Sequence, residues 1–302
     1  MNDTIIFEDI NCPLCGGNER QELFTVDHRE SNVLSLLEID TTVKDPSVVQ
    51  CKKCGHYYMT PVVASDLMDK YYSIINSEFY HNAGIDSEIN YNEKEYDDYY
   101  KIISAIKPGG KVLEVGCGKG MLLNLLKEKG YDTYGIEPSP VAYKYAKESL
   151  KLNVDNQFLH NSRFRNEKFD VVILIDVVEH ILNMRPFLDD LKSVLKEGGL
   201  IFIGTGNIDS FNARFAGNNW FYYYTWEHVS FFTDTTMRTL LQQNGFKDIK
   251  VRKISLQHKP LLNFSQFIKN IFKKLINPFL KKKYYHGLAY DHILVTATNE
   301  SA

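Results

Sequence analysis

Val112-Leu-Glu-Val-Gly-Cys-Gly-Lys-Gly120 is the stretch on which the fold of this chain turns. A short apolar run leads into three glycines at alternate positions, 116, 118 and 120, and Met121-Leu-Leu-Asn-Leu-Leu-Lys-Glu-Lys129 continues at helical spacing. The reading is strand, tight turn, helix. Glycine lacks a Cβ, so such a turn takes up positive φ and lets a ligand lie against bare backbone, while the first helical turn offers unpaired N–H groups. A dinucleotide fingerprint needs its third glycine at 121, where Met121 stands, so the pyrophosphate geometry of G-x-G-x-x-G is not encoded. The pattern present is G-x-G-x-G.

Outward from this turn, Tyr131-Asp-Thr-Tyr-Gly-Ile-Glu137 reads as a second strand ending in an acid, placed where a Rossmann-type fold holds a carboxylate for two ribose hydroxyls. Phe169 to Ile175 is a nearly continuous apolar run, which a parallel strand buried on both faces requires. It delivers Asp176, Glu179 and His180 at its carboxyl end, where ligands bind in open α/β sheets. The spacing predicts helices over 91–106, from Ser139-Pro140 through Leu150, over Phe187–Leu195 and over Thr235–Gln243. It predicts further strands over Val154–Leu159, Leu200–Gly204, Ile249–Ile254 and His292–Thr298, with Gly198-Gly199 as the turn into Leu200. The fold class is α/β: a doubly wound, seven-stranded, Rossmann-like sheet with a small zinc-ribbon-like module in front of it.

That module spans residues 1–60. Four of the five cysteines form two C-x-x-C pairs, Cys12/Cys15 and Cys51/Cys54, each followed by glycine. Such knuckles aim successive N–H groups at thiolate sulfurs, and two of them make a tetrahedral four-thiolate site suited to structural zinc, with no open position for catalysis. The 35 residues between them (16–50) exceed the usual ribbon interval and read as an insertion. His28 and His56 lie beside a thiolate set that is already complete, where a lone histidine is more often at the surface. Cys117, inside the glycine turn, reads as a small buried side chain rather than a reactive thiol.

Residues 61–90 are acidic and tyrosine-rich, a linker that packs the module onto the next domain or covers its site. The net charge of −3 and the acidic first sixty residues disfavour phosphate-rich partners. With no N-terminal basic-plus-apolar segment and no long apolar run, the expected compartment is the cytoplasm. Two insertions interrupt the 91–302 domain. The lid, 207–233, carries Gly217-Asn-Asn-Trp-Phe-Tyr-Tyr-Tyr-Thr-Trp-Glu-His-Val-Ser-Phe-Phe232; long loops in compact domains are usually binding walls or lids. The second, 256–288, gathers Phe267, Ile268, Ile271, Phe272 and Leu275 on one helical face with lysines elsewhere over 264–283. Its plain reading is packing on the domain or on a second copy, and its other reading is peripheral contact with an acidic membrane.

The glycine turn, Glu137, the Phe169–His180 stretch and Leu195-Lys-Glu-Gly-Gly-Leu-Ile-Phe-Ile203 resemble the class I S-adenosylmethionine-dependent methyltransferases, from about Tyr91 to the C-terminus. The resemblance implies S-adenosylmethionine as cofactor and an antiparallel last strand. It implies a pocket in which Gly116, Cys117, Gly118, Gly120, Pro138 and Asp176 approach the cofactor, Glu114 faces its ammonium side and Glu137 its ribose. Methyl transfer to a hydroxyl or a carbon acid also needs a base. His228 ranks first, with Glu227 as the neighbour that tunes or holds it, and His180 second; Tyr222, Tyr223 and Tyr224 read as walls of the acceptor pocket. The double C-x-x-C module with a Glu-His lid is similar to zinc-containing methyltransferases of sugar and polysaccharide pathways, whose C-methylating members carry Tyr-His-Glu-His where this chain has Thr225-Trp-Glu-His228. Expected acceptors are a sugar nucleotide, a glycan or a related small metabolite, methylated on oxygen or carbon. The alternatives are an RNA methyltransferase and a non-catalytic cofactor-binding protein.

Overall fold

The computed structural model describes residues 7–26, 37–38, 45–74, 93–223, 225–254 and 291–300. The 256–288 insertion, His28, Tyr224 and the later part of the 61–90 segment lie outside them.

The chain begins with a small β module: β1 (Phe7–Glu8), β2 (Arg20–Thr25), β3 (Ser47–Cys51), β4 (Tyr57–Thr60) and β5 (Val62–Val63). β2, β3 and β4 form an antiparallel meander, and β1 pairs with β5. Two helices follow. In α1 (Ser65–Ile74) Tyr71 is buried, and in α2 (Glu93–Ile106) Tyr99 and Ile103 are, the four-residue spacing that puts side chains on one helical face.

Next come β6 (Lys111–Val115), α3 (Met121–Glu128), β7 (Asp132–Ile136), α4 (Pro140–Lys144), β8 (Asn153–Asp155), β9 (Phe169–Ile175), α5 (Met184–Val194) and β10 (Leu195–Gly206). The lid holds α6 (Phe211–Ala216) and β11 (Ser230–Phe231), and α7 (Asp234–Gln243), β12 (Phe246–Ile254) and β13 (His292–Asn299) close the domain. Seven of these strands form one sheet in the order β12-β13-β10-β9-β6-β7-β8. β13 runs antiparallel to both neighbours, and the pairs among β8, β7, β6, β9 and β10 are all parallel. This is the expected doubly wound α/β sheet with its reversed last strand. Val171, Val172, Ile173 and Leu174 of β9 are inaccessible to solvent, as a run without polar alternation demands.

Several boundaries differ from the sequence reading. The third strand is only Asn153–Asp155, and Leu159–Asn161 is a single tight helical turn. Helix α5 starts three residues early and runs straight into β10, so Gly198-Gly199 lies at an irregularity within a longer strand rather than in a turn before it. After α4, residues 145–149 widen into a π-helical turn.

The order of winding fixes the site. From β6 the chain steps outward to β7 and β8, then returns to the other side of β6 as β9. The crevice at the carboxyl ends of β6 and β9 is therefore the topological switch point, where open α/β sheets take ligands. The lid contributes a strand to a different sheet: β11 pairs with β4, extending the N-terminal meander to four strands. Trp220 and Trp226 of the lid are fully buried in one cluster with Val48, Met59 and Tyr71.

Candidate active site

On one side of the switch point is a cradle. Gly116, Gly118 and Gly120 have φ of 71°, 53° and 78°, a region open to glycine and strained for other residues. A Cβ on Gly116 would sit 2.6 Å from Val177 Cγ2 and one on Gly120 2.5 Å from Leu152 Cδ1, whereas the space beside Gly118 is open for 4 Å. Cys117 is buried and burial pushes its thiol well above the ordinary value, so it packs rather than reacts. Glu137, at the end of β7, accepts the Gly118 N–H on Oε2 and the Ser139 N–H on Oε1, both at 2.8 Å. Burial pushes it up to about 7 against the pull of those two donors. Behind it, the Asn156 amide donates to the carbonyls of both Glu137 and Pro138 at 2.8 Å. Sequence reasoning passed over Asn156, which has no signature beyond following a short strand. His160 stacks on Phe158 and is exposed.

Glu114 is buried, takes the Leu123 N–H, and its Oε2 has no partner among the described residues. Burial, then the neighbouring Glu137, pushes it up to about 8. A buried acceptor left empty beside bare glycine backbone is the complement of a cationic ligand group.

On the other side is a cluster of rings. His180, in the turn after β9, has Nδ1 3.0 Å from the Tyr72 hydroxyl and 3.1 Å from the Glu227 carbonyl oxygen, and its ring lies 4.7 Å from that of His228. His228 donates from Nδ1 to the Tyr222 carbonyl at 2.8 Å. Burial, reinforced by His180, pushes it down to about 3, so it is neutral throughout the physiological range. Nor does the Glu227 carboxylate hold it: that group accepts the Thr225 hydroxyl at 2.7 Å, and only the Glu227 carbonyl reaches the cluster, because adjacent side chains diverge. The Tyr222 ring packs on His228 at 4.1 Å and its hydroxyl donates to the Glu179 carboxylate, which also accepts Thr205 Oγ1 at 2.8 Å. Tyr223 instead packs against Phe24 and Phe231.

Three participants were not named from the sequence: Tyr72, from the segment read as a linker or a cover for the site, and Asp291 and His292, at the start of β13. His292 is buried between Asp291 (Nδ1–Oδ1 3.0 Å) and Asp176 (Nε2–Oδ1 3.6 Å). Burial opposes its charge, but the two carboxylates outweigh it and push the imidazole up to about 10. Asp176 is held below its usual value for the same reason and has φ of 50°, outside the region favoured by L-residues.

The four module thiols form a separate centre. Cys12 and Cys54 have Sγ 3.6 Å apart, as do Cys15 and Cys51, and all four sulfurs lie within 4.8 Å of one another. All are free thiols. A zinc–sulfur bond of about 2.3 Å in a tetrahedron puts sulfurs about 3.8 Å apart, so the set fits that ion without rearrangement. Gly16 and Gly55, at φ of 68° and 75°, close the knuckles with N–H bonds to Cys12 and Cys51 carbonyls. His56 is wholly buried, not at the surface as expected, with its ring 5.0 Å from Phe232.

A glycine cradle closed by a buried carboxylate at the switch point of this sheet is the arrangement expected of an S-adenosylmethionine-dependent methyltransferase. Residues 89–251 match the family model described as a methyltransferase domain, and the chain belongs to that family. It is similar to the ubiquinone biosynthesis O-methyltransferases of Actinobacillus pleuropneumoniae (36% identical over 110 residues, 33% of this chain and 47% of that protein) and Pelagibacter ubique (32% over 126 residues, 39% and 52%). The chain thus spans about half the length of the curated relatives it matches. Among solved structures it is similar to magnesium protoporphyrin IX methyltransferase from Synechocystis PCC 6803 with bound S-adenosylhomocysteine (16% identical, TM-score 0.53, 78% of this chain and 100% of that one). It is also similar to the N-methyltransferase NodS of Bradyrhizobium japonicum WM9 with the same ligand (15%, TM-score 0.50, 78% and 97%). At these identities the likeness concerns the fold. No helix among the described residues is long and apolar enough to cross a membrane.

Proposed function

We propose that this methyltransferase acts on a hydroxyl of a small-molecule acceptor, with His228 as the group that removes the hydroxyl proton. The observation that carries the reading is the Nδ1 hydrogen bond of His228 to the Tyr222 carbonyl. A carbonyl oxygen only accepts, so Nδ1 bears the proton and Nε2 keeps its lone pair. That lone pair sits beside His180, at the carboxyl end of β9 and thus on the acceptor side of the crevice. Bound S-adenosylmethionine supplies the electrophilic methyl carbon. Glu114 would receive its ammonium end, Glu137 and the 116–120 backbone would hold the nucleoside, and Asp176 would complete the pocket. Nε2 takes the proton of the acceptor hydroxyl, which readies its oxygen for the methyl group that the bound cofactor would supply. His180 and Tyr222 keep the His228 ring in place.

Two features favour oxygen over carbon as the methylated atom. Curated relatives are O-methyltransferases by name. Within the chain, Thr225 is spent on Glu227 and Trp226 packs on Phe7 at 4.8 Å, so neither supplies a second proton-transfer group. Whether the hydroxyl belongs to a sugar or a phenol is separated by assaying labelled methyl transfer to sugar nucleotides, catechols and total RNA. Transfer to RNA alone would overturn the small-molecule reading, and full turnover by His228→Ala would remove His228 from the mechanism. Cys12, Cys15, Cys51 and Cys54 complete the proposal as a structural Zn2+ site, supported by the sulfur spacing; a metal content far below one zinc per purified chain would sink it.

A further inference from the structure

The lid is tied to the cysteine module by backbone as well as by packing. β11 adds to the edge of β4, with Ser230 opposite Tyr58 and Phe231 opposite Tyr57. The Met59 N–H donates to the Val229 carbonyl at 3.0 Å, and the Val229 N–H donates to the Glu179 carbonyl at 2.9 Å. His228 is the residue before Val229, and Glu179 the one before His180. At the other end of β4, the His56 carbonyl accepts the Cys51 N–H at 2.8 Å, one of the bonds that close the second knuckle. The His56 side chain is wholly buried, and neither ring nitrogen has a hydrogen-bond partner among the described residues. Burying an imidazole unpaired is costly, so the ring is retained against that cost by what it packs on, which is Phe232 in the lid. From Cys54 to His228 there is thus an unbroken line of knuckle, buried ring, paired strands and backbone bonds.

The cofactor cradle is built without any of this. Its hydrogen bonds, Gly118 and Ser139 to Glu137 and Asn156 to Glu137 and Pro138, all fall within residues 118–156.

We propose that the metal-closed knuckle, through His56 and β4, is the positioning element for the lid histidine: it holds 229–232 and so His228 against Glu179-His180, and its loss loosens the acceptor side while leaving the cofactor cradle formed. The proposal rests on the zinc and His228 readings above. His56 is a positioning residue, and the module is part of the acceptor site rather than a separate grip on another molecule.

The test uses the full chain, with zinc withdrawn by a chelator and then restored. S-adenosylhomocysteine binding is measured by calorimetry, amide exchange at Met59 and Val229 by hydrogen-exchange mass spectrometry, and the lid by tryptophan emission. The chain has two tryptophans, 220 and 226, both buried in the module–lid cluster, so emission reads this interface alone. Zinc withdrawal is expected to change ligand affinity by less than about threefold, to cut exchange protection at both amides by at least about tenfold and to shift emission to the red, all reversibly. His56→Ala with its metal retained should reproduce the loss of protection, and His56→Phe, which returns a ring without nitrogens, should restore it. Unchanged lid protection after zinc withdrawal overturns the proposal. So does loss of ligand binding together with the lid, or a His56→Phe variant that behaves as His56→Ala. Should ligand fail to bind the zinc-replete chain, the cradle reading is what falls, and the exchange data still judge the lid.

Discussion

Glu114→Gln gives a measurable proton count. The native carboxyl is buried, has an unpartnered oxygen, and is pushed up to about 8 by burial and by Glu137. At pH 7 a group with that value is protonated in about nine molecules of ten. An ammonium arriving beside it favours the carboxylate, so cofactor binding at pH 7 should expel about 0.9 proton from Glu114. Up to about 0.5 more should leave Glu137, whose value is about 7. Attraction between unit charges at about 4 Å and an effective dielectric near 20 is about 4 kcal/mol, and ionising Glu114 at pH 7 costs about 1.4 kcal/mol of it. The surplus, about 2.6 kcal/mol, makes roughly a hundredfold in Kd the ceiling for what Glu114→Gln can lose. Calorimetry of S-adenosylhomocysteine, which carries the same ammonium, in phosphate and in Tris at pH 7 yields the proton count from the buffer dependence of the heat. The wild type should release about one proton or more and the variant about 0.9 fewer. Stability of the ligand-free protein follows the same sign. A carboxyl whose native value is raised favours the native state most below its unfolded value near 4.5, and that contribution is lost as pH rises through about 8. No proton release, or release untouched by the substitution, would refute the placement of the ammonium at Glu114.

His228→Ala should leave S-adenosylhomocysteine affinity within about twofold while turnover falls by about 10²–10⁴. Because native His228 lies near 3, any acid limb of kcat/KM should fall well below the 6.5 of an ordinary imidazole; a limb at 6.5 that disappears in His228→Gln would contradict its burial. His292→Gln should destabilise the protein by about 1–3 kcal/mol in urea titrations at pH 6, since it removes the cationic partner of the buried Asp291 and of the more exposed Asp176. Its native value is raised to about 10, so the stability it contributes is complete below about 6.5 and is lost as pH rises through 10; the gap between wild type and variant should close over that window. Gly116→Ala, at φ 71° with its Cβ 2.6 Å from Val177, should cost about 1–3 kcal/mol of stability in urea titrations, more than Gly118→Ala, whose Cβ meets open space.

The elements that could be read from the chain are those whose physics is local. G-x-G-x-G after an apolar strand needs positive φ at each glycine, and all three have it; the unalternating run at 169–175 could only be a doubly covered strand, and it is. The knuckle geometry likewise follows from a cysteine pair and its glycine. What escaped was decided by partners far along the chain. Nothing in Glu227-His228 says that the histidine will bond the carbonyl of Tyr222, or that the carboxylate will turn to Thr225, because both depend on the path the lid takes after α6. That path is set by β4, which precedes β11 by some 170 residues, and a two-residue strand such as Ser230–Phe231 has no alternation long enough to announce itself. His292 reads as one more strand residue until the sheet order sets β13 beside β10, where antiparallel pairing opposite Gly206 brings it to the carboxyl end of β9 and within reach of Asp176. Tyr72 is the clearest case: in sequence it belongs to the segment between the module and the sheet domain, yet its hydroxyl meets His180 in the turn after β9. The ring cluster at the carboxyl end of β9 is thus assembled from four separate regions of the chain, around 72, 176–180, 222–229 and 291–292. The cradle comes from one continuous stretch, which is why a family model that matches 89–251 spans the whole cradle and still misses contributors to the ring cluster at both ends.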